Sequence, residues 1–134
     1  MIFVDTSAWL ALADAHDRFH PSATQFQRHI VGGEFGKPVT TNYVMTETMT
    51  VVRRRLGIAA AVRLANAVRE GKETGLFWIE PVHHQEAVDL MASHPDKSWS
   101  LTDCSSFVIM RSLSIREAFA FDRDFVRAGF SINP

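Results

Sequence analysis

The 134-residue sequence predicts an α/β fold, a small parallel β-sheet flanked by helices. Three observations predict it. Short apolar runs alternate with helical stretches of about ten residues or more, the pattern of βαβ units. Hydrophobic residues make up 46% and charged residues 22%, and the length suits one domain, residues 1–134, with a real core. Asp5 and Asp122 fall at the ends of predicted strands. In parallel sheets, sites form outside the carboxyl ends of the strands.

Met1–Val4 is short and apolar and reads as a buried strand. Asp5 or Thr6 caps a helix through "SAWLALADAHD". His20-Pro21-Ser22 opens a second helix, "SATQFQRHIV", which stops at Gly32-Gly33. "KPVTT" is a short extended piece. From Asn42 a helix runs through "YVMTETMTVVRRRL" to Gly57. "IAAAVRLANAVREGK" is Ala-rich and helical, ending near Gly71 or Gly75. "LFWIEPV" reads as a strand, "HQEAVDLMASH" and "SLTDCSSFVIMRSL" as helices, and "EAFAF" as a strand. "RDFVRAG" is a short closing helix and "FSI" a last strand.

Bulk composition removes several classes of function. The net charge is 14 − 15 = −1, so overall charge gives nucleic-acid binding no support, although a local basic patch is compatible with it. Cys104 is the only cysteine, which excludes an intrachain disulfide and a Cys-rich zinc site. There is no apolar run of about 18 residues and no charged leader, so a cytoplasmic protein without a membrane span is expected. His16 and His20 have the i,i+4 spacing of a helical metal pair, but Pro21 and the predicted loop oppose it. His83, His84 and His94 lack a Cys or a His-x₃-His partner, so all six histidines read as surface or loop residues. Ser105 and Ser106 have no adjacent His to activate a nucleophile.

Four carboxylates carry the argument. Asp5 and Asp122 can each be a helix cap, and Asp124 suits the positive end of the last helix. Ser100 and Asp103 have capping-box spacing. Glu47 is harder to explain structurally. A helical wheel puts Val44, Met45, Met49, Val51, Val52 and Leu56 on one apolar arc, with Glu47 at its edge. No basic residue stands at i+4, and Arg54 is two turns away. A carboxylate in that position needs a proton or a cation. If the four ends converge, repulsion is large: two charges about 4 Å apart repel by about 4 kcal/mol at an effective dielectric of 20. An all-oxygen set suits Mg²⁺ or Mn²⁺. Rival phosphoaspartate patterns fail, because the phosphatase pattern wants an Asp at position 7, which is Ser7, and a receiver wants paired acids and a late Lys.

"FVDTSAWLAL", "TTNYVMTETMTVVRRRLG", "SLTDCSSFVIMRSL" and "AFAFDRDFVRAGF" resemble, in order and spacing, the motifs of PIN-domain ribonucleases. The group most similar is the VapC toxins of toxin–antitoxin pairs, and the resemblance covers nearly the whole chain. It implies a PIN-like fold with an acidic pocket and Mg²⁺- or Mn²⁺-dependent endoribonuclease activity. Residue by residue, it implies that Asp5, Glu47, Asp103 and Asp122 are the catalytic and metal-binding acids, with Thr6 the hydroxyl after the first. The family often has Thr or Ser two residues before the fourth acid, where this chain has Ala120, and Asp124 is a candidate substitute ligand.

The implied reaction is hydrolysis of an RNA phosphodiester that leaves 5′-phosphate and 3′-hydroxyl ends, with one or two ions bound. Arg54, in the run Arg53–Arg55, and Arg123 are the candidate RNA contacts, although a basic helix end is also favourable with the macrodipole. Trp9, Trp78 and Trp99 are candidate stacking residues, with burial in the core the competing expectation. The implied partners are the RNA substrate, a small antitoxin and a second copy in a homodimer, for which the apolar helices "SAWLALADA" and "YVMTETMTVV" would supply surface. The alternative is a PIN-like module that holds RNA or protein without efficient cutting, which Ala120 keeps open.

Overall fold

The computed structural model describes residues 1–71 and 73–134. Among them the strands are β1 (Ile2–Val4), β2 (Pro38–Thr41), β3 (Gly75–Phe77), β4 (Glu117–Phe119) and β5 (Ser131–Asn133). The helices are α1 (Thr6–Ala13), α2 (His20–Val31), α3 (Asn42–Leu56), α4 (Ile58–Glu70), α5 (Pro81–Ala92), α6 (Leu101–Ser112) and α7 (Asp124–Arg127). The strands form one parallel sheet in the order β3-β2-β1-β4-β5. Ile2, Phe3 and Val4 of β1 are all buried, as a central strand covered on both faces requires.

That strand order fixes where a site can form. The chain leaves β1 for β2 on one side and later reaches β4 on the other. A crevice is therefore left at the carboxyl ends of β1 and β4. The Asp5 N–H donates to the Phe119 carbonyl at 3.1 Å, carrying the pairing one residue past β1. Asp5 and Asp122 thus stand at adjacent strand ends, as the sequence predicts.

Helix α6 is buried continuously from Cys104 to Met110. A helix buried over so much of its circumference belongs to the interior. The Ser105 and Ser106 hydroxyls satisfy themselves on the Thr102 carbonyl, which lets two serines sit there. Phe107 packs edge-on to Trp99 and Phe125, with ring centroids 5.2 and 5.1 Å apart. This packing fixes the first turn of α6, and Asp103 with it, at the rim. Helix α3 packs against both α1 and α6. It ends at Gly57, whose φ of 88° lets a single residue turn the chain into α4.

Several sequence expectations need correction. "LFWIEPV" is a strand only through Phe77, because Pro81 is preorganised for the first turn of a helix and starts α5 after Glu80. Helix α1 stops at Ala13, where Asp14 and Asp17 draw the following backbone N–H groups of His16 and Phe19 into turns. The end of "AVREGK" at Lys72 lies outside the described residues. The α3 arc is centred differently from the wheel: Val44, Met45, Thr48 and Val52 are buried, Val51 is half-buried and Leu56 is exposed. Thr48, a polar residue, occupies the middle of the buried stripe, and its hydroxyl has no partner among the described residues.

The core takes up part of the two apolar helices expected to supply a dimer surface. Helix α1 buries Ala8, Trp9 and Ala11, while Leu10 and Leu12 are half-buried. Large apolar side chains are exposed instead at Leu56, Ile58 and Val62, around the turn from α3 to α4. Among the described residues no helix is long and apolar enough to cross a membrane. Because Phe107 anchors α6, Phe107→Ala should cost about 3–5 kcal/mol, read as a fall in the urea midpoint at unchanged slope. A loss under about 1 kcal/mol would mean that this packing does not hold the helix.

Candidate active site

Asp5 is 4% exposed and is the N-cap of α1. Its Oδ2 accepts from the Ser7 backbone N–H at 3.0 Å and from the Ser7 hydroxyl at 2.6 Å. The Ser7 hydroxyl in turn accepts the Phe121 N–H at 2.9 Å. Ser7 therefore ties the end of β1 to the segment after β4 that carries Asp122. Sequence reasoning missed it, since Ser7 counted only as the residue that spoils a phosphatase pattern. Ala120, fully buried, offers no hydroxyl, but the one on Ser7 reaches the next residue.

Glu47 has the partner that its own helix lacks. The Thr6 hydroxyl donates to Glu47 Oε2 at 2.6 Å, across the α1–α3 contact. Asp103 completes the capping box read in the sequence: Ser100 N–H donates to Asp103 Oδ2 at 2.7 Å, and Asp103 N–H donates to Ser100 Oγ at 3.0 Å. Asp122 Oδ1 accepts the Asp124 N–H at 2.8 Å, so it stabilises the turn into α7. Each structural explanation for these acids is thus real.

The acids are also electrostatically coupled. Burial raises the Asp5 carboxyl from 3.8 to about 6, against the lowering effect of the Ser7 donors, with Asp103 adding repulsion. Burial likewise raises Asp103, and the charges of Asp122 and Glu47 push the same way. Among the described residues, no three carboxylate, imidazole or thiolate groups close around one point tightly enough to grip an ion as they stand. Each carboxylate accepts a hydrogen bond from a protein donor. Glu47, Asp103 and Asp122 each spend one named oxygen on that donor, and both Ser7 bonds to Asp5 fall on Oδ2 alone. The donor set is all oxygen and negatively charged, which suits a hard divalent cation.

The remaining candidates separate. Asp124 Oδ1 accepts from Arg127 at 2.6 Å, so this carboxylate already has a cation. Arg54 and Arg123 are exposed. Trp9 and Trp99 are buried as the core reading expects, whereas Trp78 is 68% exposed. No histidine is fully buried. His20 bonds the Ala11 carbonyl and His84 the Tyr43 hydroxyl. A depression of about 340 Å³, lined by Asn42, Tyr43, Thr46, Glu47 and Thr102, adjoins the acids, and sequence reasoning missed it too.

Asp5→Asn tests the electrostatics. Asn caps a helix as well as Asp does, so the substitution removes charge and keeps the cap. A native value of about 6 against 3.8 means that the folded state holds this proton more tightly. The stability it confers is full below about 3.8 and is lost as pH rises through about 6, a change of about 3 kcal/mol. In EDTA at pH 7, Asp5→Asn should be more stable than the parent by on the order of 1–3 kcal/mol in urea unfolding, with the gap closing in acid. A less stable variant at pH 7 would contradict the buried-charge account.

Comparison with known proteins identifies the fold and the family. The family model for the PIN domain matches residues 2–131. The chain is 37% identical over 138 aligned positions to "23S rRNA-specific endonuclease VapC20" of Mycobacterium tuberculosis, covering 97% of this chain and 95% of that protein. The same identity and coverage are found in a second strain of that organism. The crystal structure of M. tuberculosis VapC20, described as a sarcin–ricin loop cleaving toxin, superposes with a TM-score of 0.90 at 35% identity over the whole of both chains. The chain therefore belongs to the PIN-domain family, in its VapC-type branch.

Proposed function

We propose that this chain, acting as a single domain, is a metal-dependent endoribonuclease and the toxin of a toxin–antitoxin pair. The observation that carries this reading is the coupled set Asp5, Glu47, Asp103 and Asp122 at the carboxyl edge of the sheet, with Asp5 buried and its carboxyl raised. The named activity of the VapC20 relative, over nearly full length, supports it.

A divalent cation, Mg²⁺ or Mn²⁺, when bound would supply an acidified water and offset charge on the attacked phosphate. Asp5 and Asp103 are the proposed main ligands, and Glu47 and Asp122 complete the set. Thr6 holds Glu47 through Oε2, which leaves Oε1 to accept a proton from water. Ser7 keeps Asp5 and the Asp122 segment in register. Exposed Arg54 and Arg123 are proposed to meet the RNA backbone. Asp124 is not proposed as a ligand, because Arg127 occupies it. The Ser7 bond to the Phe121 N–H gives the Asp122 segment a hydroxyl despite Ala120, which disfavours the non-cutting alternative.

The proposed substrate is a loop of 23S ribosomal RNA, carried over from the named target of the relative. A small antitoxin protein and a second copy of the chain are the proposed partners, in the cytoplasm. Purified protein free of antitoxin should cut 23S rRNA with Mg²⁺ or Mn²⁺, leave 5′-phosphate ends, and stop in EDTA. Asp5→Asn should abolish cutting, and Glu47→Gln should slow it by about 10²- to 10⁴-fold. Cutting that survives EDTA and both substitutions would refute the assignment.

A further inference from the structure

The depression beside Glu47 has a composition that the carboxylates do not explain. At about 340 Å³ it lies at the lower end of the range for small-molecule sites. Asn42, Tyr43, Thr46 and Glu47 of α3 line one side and Thr102 of α6 the other, so it runs from one acid to the turn holding Asp103. Every lining side chain is polar or phenolic.

Several of these groups are held in place. Asn42 Oδ1 accepts the Ile79 N–H at 2.7 Å. That bond fixes the orientation of the amide and leaves its NH₂ as a donor pair. The Tyr43 hydroxyl shares a 2.8 Å hydrogen bond with His84 Nδ1, and the two rings meet edge-on at 6.1 Å. Thr46 donates to the Asn42 carbonyl at 2.8 Å. Asn42 and Thr46 also line the neighbouring depression, which contains the exposed Trp78. A pinned phenol and an exposed indole thus flank one amide. Aromatic platforms with edge-reading polar groups between them are how proteins hold unpaired RNA.

We propose that this depression seats the unpaired nucleotide next to the scissile phosphate. The Tyr43 ring stacks the base, the Asn42 amide and Thr102 hydroxyl read its edge, and Trp78 stacks the following base. The inference rests on the nuclease reading of the acids and names the ligand class of the same site, single-stranded or looped RNA.

Short homopolymers of A, C, G and U, titrated in Ca²⁺, test it by tryptophan fluorescence and by anisotropy with an end label. RNA should quench the parent protein, and the quenching should vanish in Trp78→Ala, since Trp9 and Trp99 are buried. Tyr43→Ala and Trp78→Ala should each weaken binding by about 5- to 100-fold. Tyr43→Phe, which keeps the ring, should lose less. Asn42→Asp keeps the acceptor for Ile79 and drops the donors, so it should change the ranking of the four polymers. Melting curves verify folding, and Asn42→Asp with Trp78→Ala suffice if Tyr43→Ala does not fold. Unchanged affinity and ranking in the folded variants, or no binding of any polymer by the parent, would overturn the proposal. Binding that depends on Tyr43 and Trp78 without cutting in Mg²⁺ or Mn²⁺ would keep the subsite and sink the nuclease reading. Cutting with unaffected variants would do the reverse.

Discussion

A carboxylate buried at the end of a central strand must be neutralised, either by a proton or by a cation. Asp5 is in that position, and the surrounding structure is arranged around the cost. Ser7 donates two hydrogen bonds to Asp5, the charge of Asp103 nearby is of the same sign, and Asp122 and Glu47 in turn add repulsion at Asp103. A fold selected for stability alone would have placed Asn or Ser at that cap. Retaining the acid sacrifices stability, and such local sacrifices cluster at functional sites.

The sheet order brings Asp5 and Asp122 to adjacent strand ends. With β1 in the centre and β4 beside it, the residues after both strands open onto the same crevice. The deeply buried α6 brings its N-terminal turn to that rim, and α3 packs between α1 and α6. Two hydroxyls then link the parts. Thr6 joins α1 to Glu47, and Ser7 joins Asp5 to the segment before Asp122. Hydrogen bonds through Thr6 and Ser7 thus tie Glu47 and Asp5 to neighbouring elements, while Asp103 and Asp122 each hold their own local turn.

Much of this was legible in the sequence. Strand and helix order followed from alternating apolar runs, and Gly57 and the Ser100–Asp103 spacing marked boundaries because their backbone or capping chemistry is local, whereas Pro81 was read inside a strand and instead opens α5. Asp5, Asp103 and Asp122 were legible as candidates for the same reason, as groups at element ends, and Glu47 as a carboxylate at the edge of an apolar arc. What was not legible depends on tertiary partners. Thr48, left off the apolar arc read for α3, is buried. Glu47 looks unpartnered because Thr6 lies 41 positions away. Ser7 looks like an ordinary first-turn residue until its contact with Phe121, 114 positions on, is seen. Trp78 reads as core because it follows an apolar run, yet β3 ends before it and leaves it exposed.

The central claim is that the buried Asp5 and the acids around it are kept for a divalent cation. Thermal unfolding with increasing Mn²⁺, for the parent and for Asp103→Asn, tests it most directly, because a ligand that binds only the folded state raises the midpoint by mass action. The account predicts a saturable rise in the parent that is largely lost in Asp103→Asn. A parent midpoint indifferent to Mn²⁺ and to Mg²⁺, or an equal rise in the variant, would contradict it.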